Sequence, residues 1–310
     1  MLWEILIAVA LLIALIVLLR IGAKMLKKSR LKPGAIRALA GVLSAVEVIA
    51  LIYGAFWFLQ DSQLFHPGHD PHSWEELAAR PEFEAVEFTA GKQTWHGMLR
   101  HGASEEPSPL IIFFYGNGQT ASQAMRQMDA AGMWGYWGGY SCLVMDYAGY
   151  GLNEGRPSAK NMCGEALAAY DYAMALPGVS RVIVGGYSIG TGPAAYLAAH
   201  RAVAGLFLLA PYANSYDLYS SVLPIFYGPM RLFVRHRFRS DKCAGETRIP
   251  ALVVASRDDE IVPFASSKKL VGCFGGECTF IPLNGVGHGS ILFDRTALES
   301  VKAYLDALAS

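Results

Sequence analysis

One serine in this chain has the sequence neighbours of an activated nucleophile. Ser188 stands in the pattern G-x-S-x-G, between Gly186 and Gly190, directly after an apolar run at residues 181–185. Small residues at 193–200 follow and are typical of a helix. The pattern predicts a sharp strand–turn–helix connection that strains the serine backbone and lifts its hydroxyl clear of the sheet. An ordinary glycine-rich connection fits the same residues, so the prediction depends on partners elsewhere.

Those partners occur later in the chain, each just past an apolar run. Asp258 and Asp259 follow the run at 251–255, and His288 follows the run at 278–283. A serine hydroxyl is a poor nucleophile at neutral pH and needs a neighbouring base, which an imidazole supplies. A carboxylate then holds the imidazole tautomer and stabilises the imidazolium. The chain order Ser, Asp, His differs from the trypsin and subtilisin orders.

The elements that must position these residues alternate from residue 63 onward. Predicted strands cover 84–89, 94–101, 109–115, 140–145, 181–185, 205–209, 251–255 and 278–283. Predicted helices cover 122–131, 158–175, 193–200 and 297–309. This alternation predicts an opening hairpin followed by a mostly parallel, twisted sheet with helices on both faces. Ligands of such sheets bind at the carboxyl ends of the strands, where the three candidate residues stand.

Composition limits the class of protein. The 310 residues accommodate one large α/β domain of roughly 250 residues, or two small domains, with extra elements. The formal net charge of zero gives no reason to expect a nucleic-acid partner. Five cysteines are too few for a disulfide scaffold and contain no C-x-x-C pair for zinc. Cys273 and Cys278 fit a bridge across a turn in an oxidising compartment, and equally fit two free thiols.

The apolar residues, 53% of the chain, are concentrated near the N-terminus. Residues 2–19 carry only Glu4 as a charge and residues 38–59 only Glu47, and each segment is long enough to cross a bilayer. Two spans are the preferred interpretation, against one span plus an amphipathic helix on the membrane surface. A secretory signal peptide fits poorly because Glu4 stands in place of a positive n-region. Glu47 costs about 2.5–3.5 kcal/mol at a membrane centre, which its apolar neighbours can outweigh.

Charge distribution predicts the orientation in the membrane. Residues 20–37 contain seven Lys or Arg and no acid, whereas residues 38–79 contain no Lys or Arg. If both segments span, the basic loop is cytoplasmic and the chain after residue 59 lies on the outer face. If only the first segment spans, the main domain is cytoplasmic. The second segment ends in aromatic residues suited to an interfacial belt, namely Tyr53, Phe56, Trp57 and Phe58.

Five segments of the chain resemble the α/β-hydrolase superfamily, and within it a membrane-anchored branch with serine aminopeptidase-like members. They are residues 63–67 (Gln-Leu-Phe-His-Pro), 146–155, 186–190, 259–263 and 287–288. The resemblance implies an α/β-hydrolase domain at 63–310 with a helical insertion at about 212–248, preceded by a membrane anchor at 1–62. The chain departs from many relatives at Tyr115, where they have His, and at Ala148, where they have Arg.

The resemblance assigns roles to the candidate residues. Ser188 would be the nucleophile, His288 the general base and Asp259 the acid that supports it. Asp258 is the rival acid, and Asp259 is preferred because its spacing to the Val-Pro pair at 262–263 matches the family pattern.

The backbone N–H groups of Asn117 and Ile189 would form the oxyanion hole. The implied reaction is cleavage of an ester, a thioester or an amide through an acyl-enzyme, with no metal or organic cofactor. Membrane attachment and an apolar insertion favour an acylated or lipid-like substrate. An aminopeptidase-like activity is an alternative, with Glu154 as the candidate anchor for a free α-amine. A membrane-tethered scaffold without catalysis is a second alternative, which the intact Ser, Asp and His set argues against.

Several other residues have two interpretations each. His66, His69 and His72 fit a solvated linker better than a metal site, and Asp146 is expected to structure its own loop by hydrogen bonding. The insertion fits a lid or acyl-binding wall as well as ordinary helix packing, on the basis of Tyr216, Tyr219, Leu223, Pro224, Phe226, Tyr227, Met230, Leu232 and Phe233. Its basic residues fit anionic lipid headgroups or a solvated face, and they are Arg231, Arg235, Arg237 and Arg239.

Overall fold

The computed structural model describes residues 13–22, 24, 32–103, 107–137, 139–222 and 228–309. The chain divides into two compact units by its internal contacts. The first unit consists of residues 1–64 with 232–235, and the second of residues 65–231 with 236–310. The second unit contains every residue proposed for catalysis, and it is described first.

Eight strands within the described residues form one sheet. Their bounds are β1 Phe83–Ala90, β2 Gln93–Arg100, β3 Ser108–Phe114, β4 Ser141–Met145, β5 Val179–Tyr187, β6 Gly205–Leu209, β7 Ala251–Ser256 and β8 Cys278–Leu283. The spatial order is β1-β2-β4-β3-β5-β6-β7-β8. The first two pairings are antiparallel and the other five are parallel. The predicted hairpin and mostly parallel sheet are therefore confirmed.

Helices connect these strands. In chain order they are α1 Ile13–Gly22, α2 Pro33–Leu64, α3 Pro71–Ala78, α4 Ala121–Ala130, α5 Ala159–Ala175, α6 Thr191–His200, α7 Ser215–Val222, α8 Ser240–Glu246, α9 Phe264–Val271 and α10 Arg295–Ala309. Helices α3 and α9 were not predicted from the sequence. The linker interpretation is wrong for His72, because Asp70 caps α3 by accepting hydrogen bonds from the backbone N–H groups of His72 and Ser73.

The strand order positions the site at a crevice between β3 and β5. After β3 the chain crosses to β4 on one side of β3, and β5 then pairs with the other side. Phe114 and Gly186 are partners in the register of these two parallel strands. The residues that follow them, Tyr115 and Tyr187, therefore lie side by side at the ends of the two strands. A reversal of strand order of this kind is where open α/β sheets bind ligands.

The first unit is built on α2. Residues 33–57 of this helix contain an 18-residue stretch with a mean hydropathy of 2.1, and they are long and apolar enough to cross a membrane. The predicted second span, 38–59, lies within α2. Of the predicted first span, residues 2–12 lie outside the described residues, and residues 13–19 belong to α1.

The carboxyl-terminal end of α2 binds residues 232–235 within the same unit. Gln60 is fully buried, its Nε2 donates to the Phe233 carbonyl at 2.7 Å, and its Oε1 accepts from the Arg235 N–H at 2.8 Å. The Arg235 guanidinium forms an ion pair with Asp61 at 3.2 Å and lies 5.3 Å from the centroid of the Trp57 ring. The Arg235 side chain thus contacts residues of its own unit.

Candidate active site

Ser188 lies at the connection between β5 and α6 and has a positive φ of 54°. A non-glycine residue in this region costs of order 1–3 kcal/mol, which the surrounding packing must offset. A Cβ atom built on Gly186 would lie 2.8 Å from the Ala194 Cβ. A Cβ atom built on Gly190 would lie 2.2 Å from the Phe114 carbonyl oxygen. Both glycines are required by close approach, and the structure has the predicted strand–turn–helix connection.

His288 connects Ser188 to Asp259. Its Nε2 lies 2.8 Å from the Ser188 Oγ, and its Nδ1 lies 2.8 Å from the Asp259 Oδ2. The Asp259 side chain is 2% exposed, and its Oδ1 accepts hydrogen bonds from the backbone N–H groups of Ile261 and Val262 at 2.9 and 2.7 Å. One carboxylate oxygen thus faces the backbone and the other faces the imidazole. This arrangement can move a proton from the serine hydroxyl to the imidazole.

The rival acid, Asp258, has a different contact. Its Oδ2 accepts a hydrogen bond from the Gly285 N–H at 2.6 Å and so fixes the loop that precedes His288. Of the two neighbouring aspartates, the structure therefore brings Asp259 to the imidazole. The choice made from the sequence agrees with this geometry.

Two residues that the sequence analysis did not single out hold the backbone of His288. The Glu260 carboxylate accepts from the His288 N–H at 2.9 Å, and this hydrogen bond lowers the pKa of Glu260. The Tyr187 hydroxyl donates to the His288 carbonyl at 2.7 Å, and the two rings stack with centroids 5.4 Å apart. Glu260 and Tyr187 are the sequence neighbours of Asp259 and Ser188, but no residue pattern identified them as contacts of His288.

The turn after β3 lies against the nucleophile. A Cβ atom on Gly116 would lie 3.0 Å from the Tyr187 ring and 3.8 Å from the Ser188 Cβ, so glycine permits this approach. Asn117 follows directly, and Ile189 follows Ser188 in a 3₁₀ turn at 188–190. The two residues predicted to supply oxyanion donors thus flank the serine, and their role in binding an anion stays a prediction.

The turn after β4 packs against the turn after β3. The Tyr147 hydroxyl donates to the Tyr115 carbonyl at 2.7 Å, and their rings stack with centroids 4.5 Å apart. Asp146 is buried, and it accepts from the N–H groups of Ala121 and Leu152 at 2.6 and 3.3 Å. Burial raises the pKa of Asp146, and these hydrogen bonds oppose that rise. The expectation that Asp146 structures its own loop is confirmed.

A second buried carboxyl group lies beside this turn and was missed. Glu165, on α5, accepts from the Ala148 N–H at 3.2 Å. Its other oxygen, Oε1, is buried and has no hydrogen-bond partner among the described residues. Burial raises the pKa of Glu165 well above its usual range, and the nearby Asp146 carboxylate raises it further. The burial of Glu165 could not be predicted from the sequence, since a glutamate inside a helix is ordinarily exposed.

The insertion between β6 and β7 contains α7, a 3₁₀ turn at Gly228–Phe233 and α8. At its start, the buried Tyr212 hydroxyl donates to the Ile189 carbonyl at 3.1 Å. Arg231 lies 5.5 Å from the centroid of the Tyr216 ring, and Arg239 forms an ion pair with Asp241 at 2.9 Å. Four residues named for the apolar wall lie outside the described residues, namely Leu223, Pro224, Phe226 and Tyr227.

The remaining candidates lie away from this arrangement. Among the described residues, no group of three His, Cys, Asp or Glu is placed to hold a metal ion. Glu154 lines a surface groove with His96 and accepts a hydrogen bond from the Gln93 amide through its backbone carbonyl. Among the described residues, no hydrogen bond joins Glu154 to Ser188 or His288. All five cysteines are described and are free thiols.

Comparison with known proteins defines the class. Residues 109–239 match the family model for the α/β hydrolase fold. The uncharacterized protein Rv2307c of Mycobacterium tuberculosis is 30% identical over 279 residues, which cover 86% of this chain and 96% of that protein. This chain therefore belongs to the α/β-hydrolase family, as its sequence and fold predicted, and it is a hydrolase.

Two further similarities concern proteins with stated activities or ligands. The lysophosphatidylserine lipase ABHD12 of Danio rerio is 29% identical over 189 residues, or 52% of this chain and 46% of that protein. The solved structure of Est1E from Butyrivibrio proteoclasticus with bound ferulic acid has a TM-score of 0.58 at 18% identity. The match covers 73% of this chain and 98% of Est1E, and at that identity it shows the fold alone.

Proposed function

We propose that this chain is a membrane-anchored serine hydrolase that cleaves an ester or a thioester of an acylated or lipid-like substrate. The observation that carries the proposal is the continuous hydrogen-bonded series from the Ser188 Oγ through His288 to the Asp259 Oδ2, with both distances at 2.8 Å. The strained backbone of Ser188 supports the same conclusion, because such strain is retained at functional sites.

The reaction proceeds through an acyl-enzyme. The Ser188 Oγ attacks the substrate carbonyl carbon while its proton passes to the His288 Nε2, and Asp259 stabilises the imidazolium. The backbone N–H groups of Asn117 and Ile189 bind the oxyanion of the tetrahedral intermediate, each contributing roughly 3 kcal/mol in the transition state. His288 then protonates the leaving oxygen or sulfur. Finally His288 takes a proton from the water that attacks the acyl carbon and passes it to the Ser188 Oγ as the acyl–Oγ bond breaks, which releases the carboxylic acid and regenerates the serine.

The substrate class follows from the anchor and from a relative. A catalytic domain joined to an apolar helix works beside a bilayer, where acylated molecules are concentrated. The similar Danio rerio protein is named as a lipase of lysophosphatidylserine, which is an acylated lipid. Both facts favour an acyl substrate over a peptide with a free α-amine.

We further propose that residues 1–62 form the anchor with two spans and that residues 63–310 lie on the outer face of the membrane. The positive charges at 20–37 and the apolar helix α2 support this orientation. Alkaline phosphatase is active only when it is exported, so a fusion after residue 62 is expected to be active. An inactive fusion, together with fluorescence of green fluorescent protein at the same position, would favour one span and a cytoplasmic domain.

Labelling by a fluorophosphonate probe tests the proposed chemistry. Detergent-solubilised wild type is expected to label, whereas Ser188→Ala and His288→Ala are expected not to label. Ser290→Ala is a matched control, because Ser290 is an exposed serine two residues beyond His288, and this variant should label like wild type. Folded wild type that stays unlabelled, or labelling that persists in Ser188→Ala, would contradict the proposal. A chain-length series of esters and thioesters then defines the acyl group.

A further inference from the structure

The chain segment that follows α2 lies alongside the turn that carries Asn117. A Cβ atom built on Gly68 would lie 2.8 Å from the carbonyl carbon of Gln119, so only glycine permits this approach. The Gly68 carbonyl accepts a hydrogen bond from the Gly151 N–H at 2.9 Å. Phe65, at the start of the segment, is buried. Residues 65–68 are therefore held against the turn, although His66 itself is exposed to solvent, as the sequence predicted.

His66, in this segment, binds the carboxamide of Asn117. Three donors converge on the Asn117 Oδ1: the Tyr150 hydroxyl at 2.7 Å, the His66 N–H at 3.0 Å and the Gly118 N–H at 3.1 Å. An atom that accepts three hydrogen bonds is the carbonyl oxygen of the amide. The Asn117 Nδ2 therefore donates to the His66 Nδ1, which lies 2.9 Å away and must carry a lone pair.

We infer that His66 is a positioning residue for the oxyanion hole. Through its Nδ1 it fixes the carboxamide of Asn117, and so it fixes the peptide that joins Gly116 to Asn117. The inference rests on the proposed function, which assigns the N–H of this peptide to the oxyanion. A donor aimed correctly before the reaction needs no reorganisation when charge develops.

Such a role acts on the transition state more than on substrate binding. The oxyanion exists only after Ser188 attacks, so a misdirected N–H lowers kcat and leaves KM nearly unchanged. The imidazole of His66 makes its hydrogen bond to Asn117, and within the described part of the chain no hydrogen bond joins it to Ser188 or His288. His66 is thus a residue that acts through another, and its loss reduces the rate without removing the nucleophile.

Two substitutions separate the acceptor atom from the bulk of the ring. His66→Leu removes the acceptor, whereas His66→Asn supplies a carbonyl oxygen at the position of the imidazole Nδ1, since both atoms are two bonds from Cβ. The backbone N–H of residue 66 is kept in both variants. With p-nitrophenyl butyrate, His66→Leu is expected to lower kcat about tenfold at similar KM, and His66→Asn to restore most of it. The Ki of a trifluoromethyl ketone, which forms a tetrahedral adduct with serine, should rise by the same factor in His66→Leu.

A double-mutant cycle tests whether His66 acts through Asn117. Asn117→Ala keeps the backbone N–H and removes the carboxamide, so it should lower kcat about as much as His66→Leu. Combining the two changes should add little, because each breaks the same interaction. Independent, additive losses would overturn the inference, since they would place the effect of His66 elsewhere.

The outcomes distinguish this inference from the proposed function. If wild type turns over and Ser188→Ala does not, the proposed function stands. A His66→Leu variant with wild-type kcat, or a His66→Asn variant as slow as His66→Leu, then overturns the inference alone. If wild type neither turns over nor labels, both fail together. Should His66→Leu not fold, Tyr150→Phe removes one donor to the Asn117 Oδ1 and one acceptor for the His66 N–H. It is expected to lower kcat about threefold, and an unchanged kcat and Ki would overturn the inference.

Discussion

Two glycine-rich turns follow the buried strands β4 and β5, which lie on either side of β3, and their polar side chains have different hydrogen-bond partners. In the turn after β4, Asp146 is buried and accepts backbone hydrogen bonds from Ala121 and Leu152. In the turn after β5, Ser188 is hydrogen-bonded to His288, a residue 100 positions later in the chain. The first turn is a structural support, and the second presents a reactive group.

The backbone explains this difference. In the β4 turn the positive φ angles fall on Gly149 and Gly151, at 80° and 53°, and glycine adopts them at little steric cost. In the β5 turn the positive φ falls on Ser188 itself, at 54°. The flanking glycines do not relieve it, because they are needed where the backbone packs too closely for a Cβ atom. The reactive turn therefore stores strain on its functional residue, whereas the structural turn stores none there.

The largest effect is expected where the β5 turn depends on distant partners. Asp259→Asn should lower kcat by about 10⁴-fold without unfolding the protein, because the asparagine amide favours the wrong imidazole tautomer. Asp258→Asn is the matched control, since its side-chain oxygen can still accept from the Gly285 N–H. Ester hydrolysis by both variants, with circular dichroism as the check on folding, gives the comparison. Equal losses in the two variants would mean that Asp259 has no special role.

The β4 turn should fail in stability instead of chemistry. Asp146→Ala leaves the buried N–H group of Ala121 and the part-buried N–H group of Leu152 without their acceptor, so the free energy of unfolding should fall by roughly 2–5 kcal/mol. Asp146→Asn keeps an acceptor oxygen, so its free energy of unfolding should fall by less. Urea unfolding of the second unit measures both values. If Asp146→Ala were as stable as wild type but inactive, Asp146 would belong to the chemistry and the contrast between the turns would be lost.

How far the sequence determined each turn depends on the range of its contacts. The β5 turn has a local signature around Ser188, and the strand alternation correctly located Asp259 and His288 at the same edge of the sheet. The fold was therefore predictable almost strand by strand, and the three residues are brought together. The residues that support these turns could not be predicted, because a glutamate such as Glu165 or Glu260 has no local sequence pattern that reveals burial or a distant partner. Helix α3 was missed for a similar reason, being short and started by a single capping residue, Asp70.

The missed Glu165 gives the β4 region a dependence on pH. Its pKa is raised in the folded protein by burial, so between the ordinary value for glutamate and that raised value the folded chain keeps a proton that the unfolded chain releases. The stability of the folded state therefore falls as pH rises through this range, by at most about 1.4 kcal/mol per pH unit for one proton. Glu165→Gln should remove this part of the slope, as measured by urea unfolding between pH 5 and pH 8, a range set by the usual glutamate pKa of about 4.3. Identical slopes in the two proteins would show that Glu165 is charged when folded.

The smallest effect concerns the strain on the nucleophile, and it isolates the backbone. Ser188→Ala and Ser188→Gly both remove the hydroxyl and its hydrogen bond to His288, but only glycine also removes the Cβ that opposes a φ of 54°. Ser188→Gly should therefore be more stable than Ser188→Ala by about 0.5–1 kcal/mol, after the entropy lost by glycine on folding is subtracted. Thermal midpoints a few degrees apart would express that difference. Equal midpoints would mean that the β5 turn is as relaxed as the β4 turn, and that reactivity at Ser188 comes from its hydrogen-bonded partners alone.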